Sequence, residues 1–187
     1  ISFFFLLIYN VCGTNISNHL KAAEIGDTAT AGIATAVQMA GGVAAGFAFN
    51  RLSAKFRDYL IPAAFFVIFI GFTIVNLGQR LLLADFIGVF IVGTAISIFV
   101  PQALFSTSNC LDASNSTAGT AVVNCIMPGL GGFLSPVVFT NLTMALGGDS
   151  TNFRLQFVGI VSLVLGIALV LTTRRRARKE KAAAAGA

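Results

Sequence analysis

The sequence predicts an all-α membrane protein with six transmembrane helices. The 187-residue chain is 56% hydrophobic and only 10% charged, whereas a soluble domain carries about 25% charged residues. The charged residues divide the chain into six long runs, each near or above the ~20 residues that a helix needs to cross ~30 Å of hydrocarbon. The runs are apolar on every side, as in 65–70, and do not alternate as barrel strands do. They cover residues 1–20, 28–50, 59–79, 86–111, 113–148 and 155–173, and the fifth is trimmed to Thr117–Leu146.

The first run begins at Ile1, with no initiator methionine and no basic segment before it. A signal peptide would have a basic n-region and a small-residue cleavage site ahead of a soluble domain. We therefore expect a chain cut at the start of a helix, with a further segment upstream. The predicted bundle covers residues 1–175, and the basic, then Ala-rich tail at 176–187 is expected to be disordered.

Lysine and arginine set the predicted orientation. Six spans put both termini on one side, and nine of the twelve basic residues then fall on that side, in the segments 50–58 and 174–181. Basic residues collect on the cytoplasmic side of membrane proteins. The sequence thus predicts a multi-pass protein, in the plasma (inner) membrane, with both ends cytoplasmic. Contact with anionic headgroups of the lipid bilayer accounts for the basic tail better than nucleic-acid binding does.

Polar residues recur on one side of the first, second, fourth and fifth predicted helices. A polar stripe in hydrocarbon is costly, so it should face protein or water. The third helix, Tyr59–Asn76, and the sixth, Leu155–Thr173, are almost entirely aliphatic or Phe and are predicted to be peripheral. The four stripes, at helical spacing, are Asn10, Thr14 and Asn18; Ala34, Gln38, Gly42 and Gly46; Thr94, Ser97 and Pro101; and Asn124, Pro128, Gly131 and Ser135.

These stripes predict a solute cavity without a deep charge, which suits a neutral or amphipathic solute. Gln38 and Asn124 lie towards the middle of their runs, and an amide there can donate and accept hydrogen bonds. The alternative is that these side chains hydrogen-bond neighbouring helices. Three prolines are expected to bend their helices and to serve gating: Pro101, Pro128 and Pro136. The predicted cavity wall consists of Tyr9, Asn10, Thr14, Gln38, Thr94, Ser97 and Asn124.

The ionisable residues do not suggest catalysis. His19, the only histidine, is expected to be solvated at the end of the first helix. Asp85 is expected to snorkel to the interface near Arg80. The sequence has no nucleophile–base arrangement and no His, Cys and carboxylate cluster at metal-ligand spacing. We therefore expect no catalytic residue, no metal and no cofactor.

Residues 46–55 resemble the loop signature of the major facilitator superfamily, G-x-x-x-D-R-x-G-R-[RK], as it occurs between helices eight and nine. Gly46, Arg51 and Lys55 match the signature, whereas Asn50 replaces Asp and Ser53 replaces Gly. The segments 118–121 and 131–136 look like that family's helix eleven, and Gly93 followed by Pro101 looks like its helix ten.

The resemblance implies the C-terminal half of a major facilitator bundle, built as two inverted three-helix repeats. Its partner would be a missing N-terminal six-helix half, and the two halves would move a small solute by alternating access. A drug or metabolite exporter is the function expected on this basis. Two alternatives stay open: a six-helix channel with a continuous polar lining, and a structural membrane subunit.

Overall fold

The computed structural model describes residues 1–78, 80–148 and 150–185, and these are helical apart from short connections. Gln79 and Asp149, within two of the predicted turns, lie outside the described residues, as do the last two residues of the tail. A 3₁₀ turn, Arg57–Tyr59, connects α2 to α3, and a π-helical segment, Val122–Ile126, connects α5 to α6. The helices are α1 (Ser2–Ala22), α2 (Thr28–Phe56), α3 (Leu60–Leu77), α4 (Leu82–Cys110), α5 (Ala113–Ala121), α6 (Met127–Ala145) and α7 (Thr151–Ala185).

The prediction of six transmembrane helices is wrong. Among the described residues, four helical segments are long and apolar enough to cross a membrane, and they indicate an integral membrane protein. α1 is not one of them, because its three asparagines and His19 lower its mean hydropathy. The predicted fold of two inverted three-helix repeats required six transmembrane helices, so that prediction is wrong as well. The four segments are Thr28–Leu77, which contains α2, the 3₁₀ turn and α3, Leu82–Cys110, Ser114–Ala145 and Thr151–Arg178.

Charged residues were poor markers of helix ends. The segment 50–58 was predicted to be a loop, but α2 continues through Lys55 to Phe56, because lysine and arginine are good helix formers. At Phe56 the backbone leaves the helical region, with φ −126° and ψ 26°, and the 3₁₀ turn follows. The predicted fifth helix, Thr117–Leu146, is in fact the end of α5, the π-helical segment and α6.

α4 packs between α2 and α3 through glycines that allow close backbone approach. A Cβ on Gly93 would collide with the carbonyl oxygen of Gln38 in α2. A Cβ on Gly71 of α3 would lie 2.8 Å from the carbonyl oxygen of Gly88. Since both neighbours meet the same stretch of α4, the chain reverses direction between α2 and α3. Gly42 faces α4 at Ser97, whereas Gly46 has open space beside it.

Stacked aromatic rings form the centre of the hydrophobic core. The rings of Phe5 and Phe99 lie parallel with centroids 3.8 Å apart, and the Phe65 ring meets Phe5 edge-on at 5.3 Å. All three side chains are at most 1% exposed. The three rings join α1, α3 and α4. Their packing stabilises the bundle because each aromatic ring buries a large apolar area.

The outer helices pack on this core from both sides. α7 lies on α3, where Ser162 Oγ donates a hydrogen bond of 2.8 Å to the carbonyl oxygen of Phe65. α6 lies on α1, where Gly131 approaches the backbone of Leu6. α3 therefore lies between α4 and α7 and is not peripheral within this chain. Ser114–Ala145 is the least covered of the four apolar segments, since 17% of its most apolar stretch is buried against 44% for that of Leu82–Cys110.

Candidate functional site

Several buried polar side chains lie together where the ends of α1, α4 and α7 meet. His19 is in the last turn of α1, Asp85 is in the first turn of α4, and Asn152 is in the first turn of α7. A carboxylate at a helix N-terminus and a cation at a helix C-terminus both complement the helix dipole. Local sequence therefore favours opposite charges at these two ends, and packing brings them together.

The His19 side chain bridges two acceptors. Its Nε2 lies 3.1 Å from Asp85 Oδ1, and its Nδ1 lies 2.6 Å from Asn152 Oδ1. Carboxylate and amide oxygens accept hydrogen bonds, and an imidazolium would donate to both of them. His19 and Asp85 are both 0% exposed. The expectations of a solvated His19 and a snorkelling Asp85 are therefore wrong.

A second buried interaction continues this cluster on α7. Arg154, which directly precedes the predicted sixth helix, is 8% exposed. Its guanidinium donates to Asn15 Oδ1 at 2.7 Å and to Thr143 Oγ1 at 3.4 Å. The guanidinium is always charged, so it needs these acceptors when buried. We call the six residues His19, Asp85, Asn152, Asn15, Arg154 and Thr143 the His19 cluster.

One atom of the His19 cluster lacks a partner. Asp85 Oδ2 is buried and accepts no hydrogen bond from the described residues. A buried carboxylate oxygen without a donor is costly, and Asp85 therefore depends on His19 for compensation of its charge. Chemically, the cluster can hold charge and exchange a proton, but it contains no nucleophile paired with a base.

Two of the predicted cavity residues on α1, Asn10 and Thr14, lie on the side of the helix away from His19. Thr14 is exposed, and Tyr9 and Asn10 are half-buried. The side chain of Asn10 donates to the carbonyl oxygen of Leu6 at 2.7 Å, and Thr14 donates to that of Asn10 at 3.0 Å. These side chains thus bond within their own helix while showing a polar face outside it.

The remaining predicted cavity residues are only partly brought together. Gln38 is 6% exposed and lies beside α4, where the structure also places the half-buried Ser97 and Thr94. Thr94 donates to the carbonyl oxygen of Ile91 at 2.7 Å, within α4. Asn124 is exposed in the π-helical segment and is not part of that group.

The predicted bending residues occupy three different positions. Pro101 lies inside α4 and Pro136 lies inside α6. Pro128 lies in the first turn of α6, directly after the π-helical segment. A proline in the first turn of a helix costs no internal hydrogen bond, so the irregular backbone here precedes Pro128.

The four residues of the loop signature all lie exposed on α2: Gly46, Asn50, Arg51 and Lys55. The ammonium of Lys55 lies 5.3 Å from the ring centroid of Phe56. Arg57, in the 3₁₀ turn, stacks on the Phe105 ring of α4 at 4.6 Å. The loop signature therefore lies on a helix. Arg57, which contacts α4, comes two residues after the end of the signature.

Two cavities share Arg57 and Gln102, at the end of α4 that packs on this turn. The larger, about 520 Å³, lies between α2 and α4, and we call it the Arg57 cavity. The smaller, about 320 Å³, is lined also by Asp58 and Arg176. Gln102 is 5% exposed. The polar and aromatic residues that line the Arg57 cavity are Asn50, Ser53, Arg57, Gln102, Phe49 and Phe105.

The sequence did not indicate the candidate residues that come together only through folding. Asp85 beside an apolar run and Gln102 after Pro101 were visible as polar residues near or within apolar segments. Arg154 and Arg57 did not stand out in this way, because each lies at or beside a predicted connection, where a charged residue is expected. Within the described residues, no group of three His, Cys, Asp or Glu could hold a metal ion.

Comparison of the chain with protein-family models, with curated proteins and with solved structures finds no match.

Proposed function

We propose that this integral membrane protein takes part in solute transport, as a component of a secondary transporter. One observation carries the proposal: α1 shows an uncovered polar face among four apolar segments. Gly13, Thr14 and Asn18 on this face are exposed, while Phe5 and Ile8 on the opposite face are buried. Polar side chains are costly in hydrocarbon, so this face requires water or further protein.

The proposed path runs along this face of α1. Hydroxyl and amide groups without a carboxylate or ammonium suit a neutral or amphipathic solute, as a drug or metabolite exporter would carry. The opposite wall of the path belongs to a further helical unit, which the loop signature at 46–55 associates with the major facilitator superfamily. Two units moving against one another around a midplane site would give alternating access, with no covalent step, cofactor or nucleic acid.

Cysteine accessibility tests the polar face. Asn10→Cys and Thr14→Cys, each in a Cys-free background, should react with a membrane-impermeant thiol reagent. Ile70→Cys is the matched control, because Ile70 is 47% exposed on the apolar surface of α3 and should lie in lipid. Equal labelling of Ile70→Cys and Thr14→Cys would contradict a water-lined path.

Flux measurements then separate the three kinds of function. A carrier supports counterflow, in which solute on one side accelerates uptake of labelled solute from the other. A channel supports flux without counterflow, and a structural subunit supports neither. The proposal expects counterflow from the chain together with its partner unit and none from proteoliposomes that contain the chain alone.

We also propose a plasma-membrane location with both termini cytoplasmic. The positive charges of the turn between α2 and α3 and of the end of α7 support this orientation. Ser53→Cys should be protected from an impermeant reagent added outside intact cells, and Ser150→Cys should be labelled. The reverse pattern would invert the orientation.

A further inference from the structure

The Arg57 cavity has the composition of an anion site. Its polar lining provides one guanidinium, two amides and one hydroxyl, from Arg57, Asn50, Gln102 and Ser53. No carboxylate is among its lining residues, and Arg57 makes no ion pair with a described residue. The lining thus presents a positive charge and neutral donors, which is the donor set that proteins use for phosphate.

Gln102 supplies an amide that opens on both cavities and that no described residue uses. The residue is 5% exposed, and its side chain makes no hydrogen bond to another residue in the described part of the chain. Since Gln102 lines both cavities, a ligand in the Arg57 cavity can accept from this amide.

Arg57 is already oriented for such a ligand. Its guanidinium stacks on the Phe105 ring at 4.6 Å, which leaves its in-plane N–H groups available and limits its rotamers. The cavity volume of about 520 Å³ is within the range of about 300–1,000 Å³ for small-ligand sites. We propose that the Arg57 cavity binds a phosphate-bearing anion, and that this site is separate from the solute path.

The departures from the loop signature contribute to this site. An aspartate at position 50 would place a carboxylate in the cavity lining and repel an anion. Asn50 and Ser53 instead supply neutral donors. A phospholipid is one source of the phosphate, because the cavity lies near the C-terminal ends of α2 and α4, two helices from apolar segments. Free phosphate is the other source.

The test uses the full chain purified in detergent, with the shift in melting temperature as the measure of binding. The probes are a short-chain phosphatidylglycerol and inorganic phosphate, both at constant ionic strength. At least one probe should give a saturable stabilisation. Saturation by phosphatidylglycerol alone identifies a lipid site, and saturation by inorganic phosphate identifies a site for the free ion; either supports the proposal. Absence of saturable stabilisation with both probes would overturn it.

Three variants locate the binding. Arg57→Gln should raise the half-saturating probe concentration about tenfold, the effect of losing one hydrogen bond to a charged group. Asn50→Asp should weaken binding at least as much, through repulsion. Arg51→Gln is the matched control, because Arg51 is exposed on α2 and lines neither cavity, and it should change the value less than twofold. If Arg51→Gln weakens binding as much as Arg57→Gln does, or if Asn50→Asp binds normally, the site is not the Arg57 cavity.

Discussion

Replacing Asp85 by Asn tests whether the His19 cluster contains a buried ion pair. The substitution keeps the side-chain shape and removes the negative charge, so a protonated His19 at 0% exposure would be left without compensation. Removing one partner of a buried ion pair costs about 3–5 kcal/mol. An interhelical hydrogen bond between neutral groups in a membrane protein is worth about 0.6 kcal/mol on average and at most about 1.7 kcal/mol. The two interpretations therefore predict losses that do not overlap.

The measurement is the free energy of unfolding in mixed micelles, by titration with a denaturing detergent. Asp112→Asn is the matched control, since Asp112 is exposed and caps α5 without a side-chain hydrogen bond. We expect Asp85→Asn to lose at least about 3 kcal/mol and Asp112→Asn to remain within about 0.5 kcal/mol of the wild type.

A double variant separates the pair from its surroundings. His19→Leu with Asp85→Leu removes both charges, and apolar replacement of a whole buried pair is often neutral or stabilising. The double variant should therefore be more stable than Asp85→Asn alone. A loss below about 1.7 kcal/mol for Asp85→Asn, or a double variant less stable than the single one, would refute the ionic interpretation.

Two further predictions concern the contact of α4 with α2 and the start of α2. Gly93→Ala should destabilise the protein by about 1–3 kcal/mol, because the new Cβ collides with the carbonyl of Gln38; Gly13→Ala, with open space around it, should be neutral or stabilising in the same unfolding assay. The backbone N–H of Thr30 donates to Asp27 Oδ1 at 2.9 Å and lowers the pKa of Asp27. This carboxylate therefore stabilises the helix start above its ordinary pKa and loses that effect as the pH falls through the lowered value. The wild type should melt above Asp27→Asn at pH 7, and the difference should vanish in acid; a constant difference across pH would contradict the argument.

The sequence was sufficient for the membrane environment and the helical class. Both follow from composition, because long runs without charge have no stable place in water and no backbone alternative to helices in lipid. It was insufficient for helix number. Charges at 51–57 mark the polar end of a membrane segment, but they do not break a helix, and the polar α1 lacks the hydropathy that the prediction assumed.

The candidate sites were harder to predict. Polar residues at helical spacing show which face of a helix is polar, but they do not show which helix packs against that face. Asn10 and Thr14 lie on one side of α1 as their spacing requires, yet their neighbours across that face are not set by spacing. Asn124 was placed with them on the same argument, and the structure leaves it exposed in a π-helical segment.

Sequence by itself determined where apolar segments occur and which face of each helix is polar, because both depend on residues close together in the chain. Only the tertiary structure decided that His19 meets Asp85, 66 residues away, and that Arg154 meets Asn15, 139 residues away. A lone charge beside an apolar run has two low-energy solutions, exposure to water or pairing with an opposite charge. The choice depends on a partner that helix packing supplies, and packing is a property of the whole bundle.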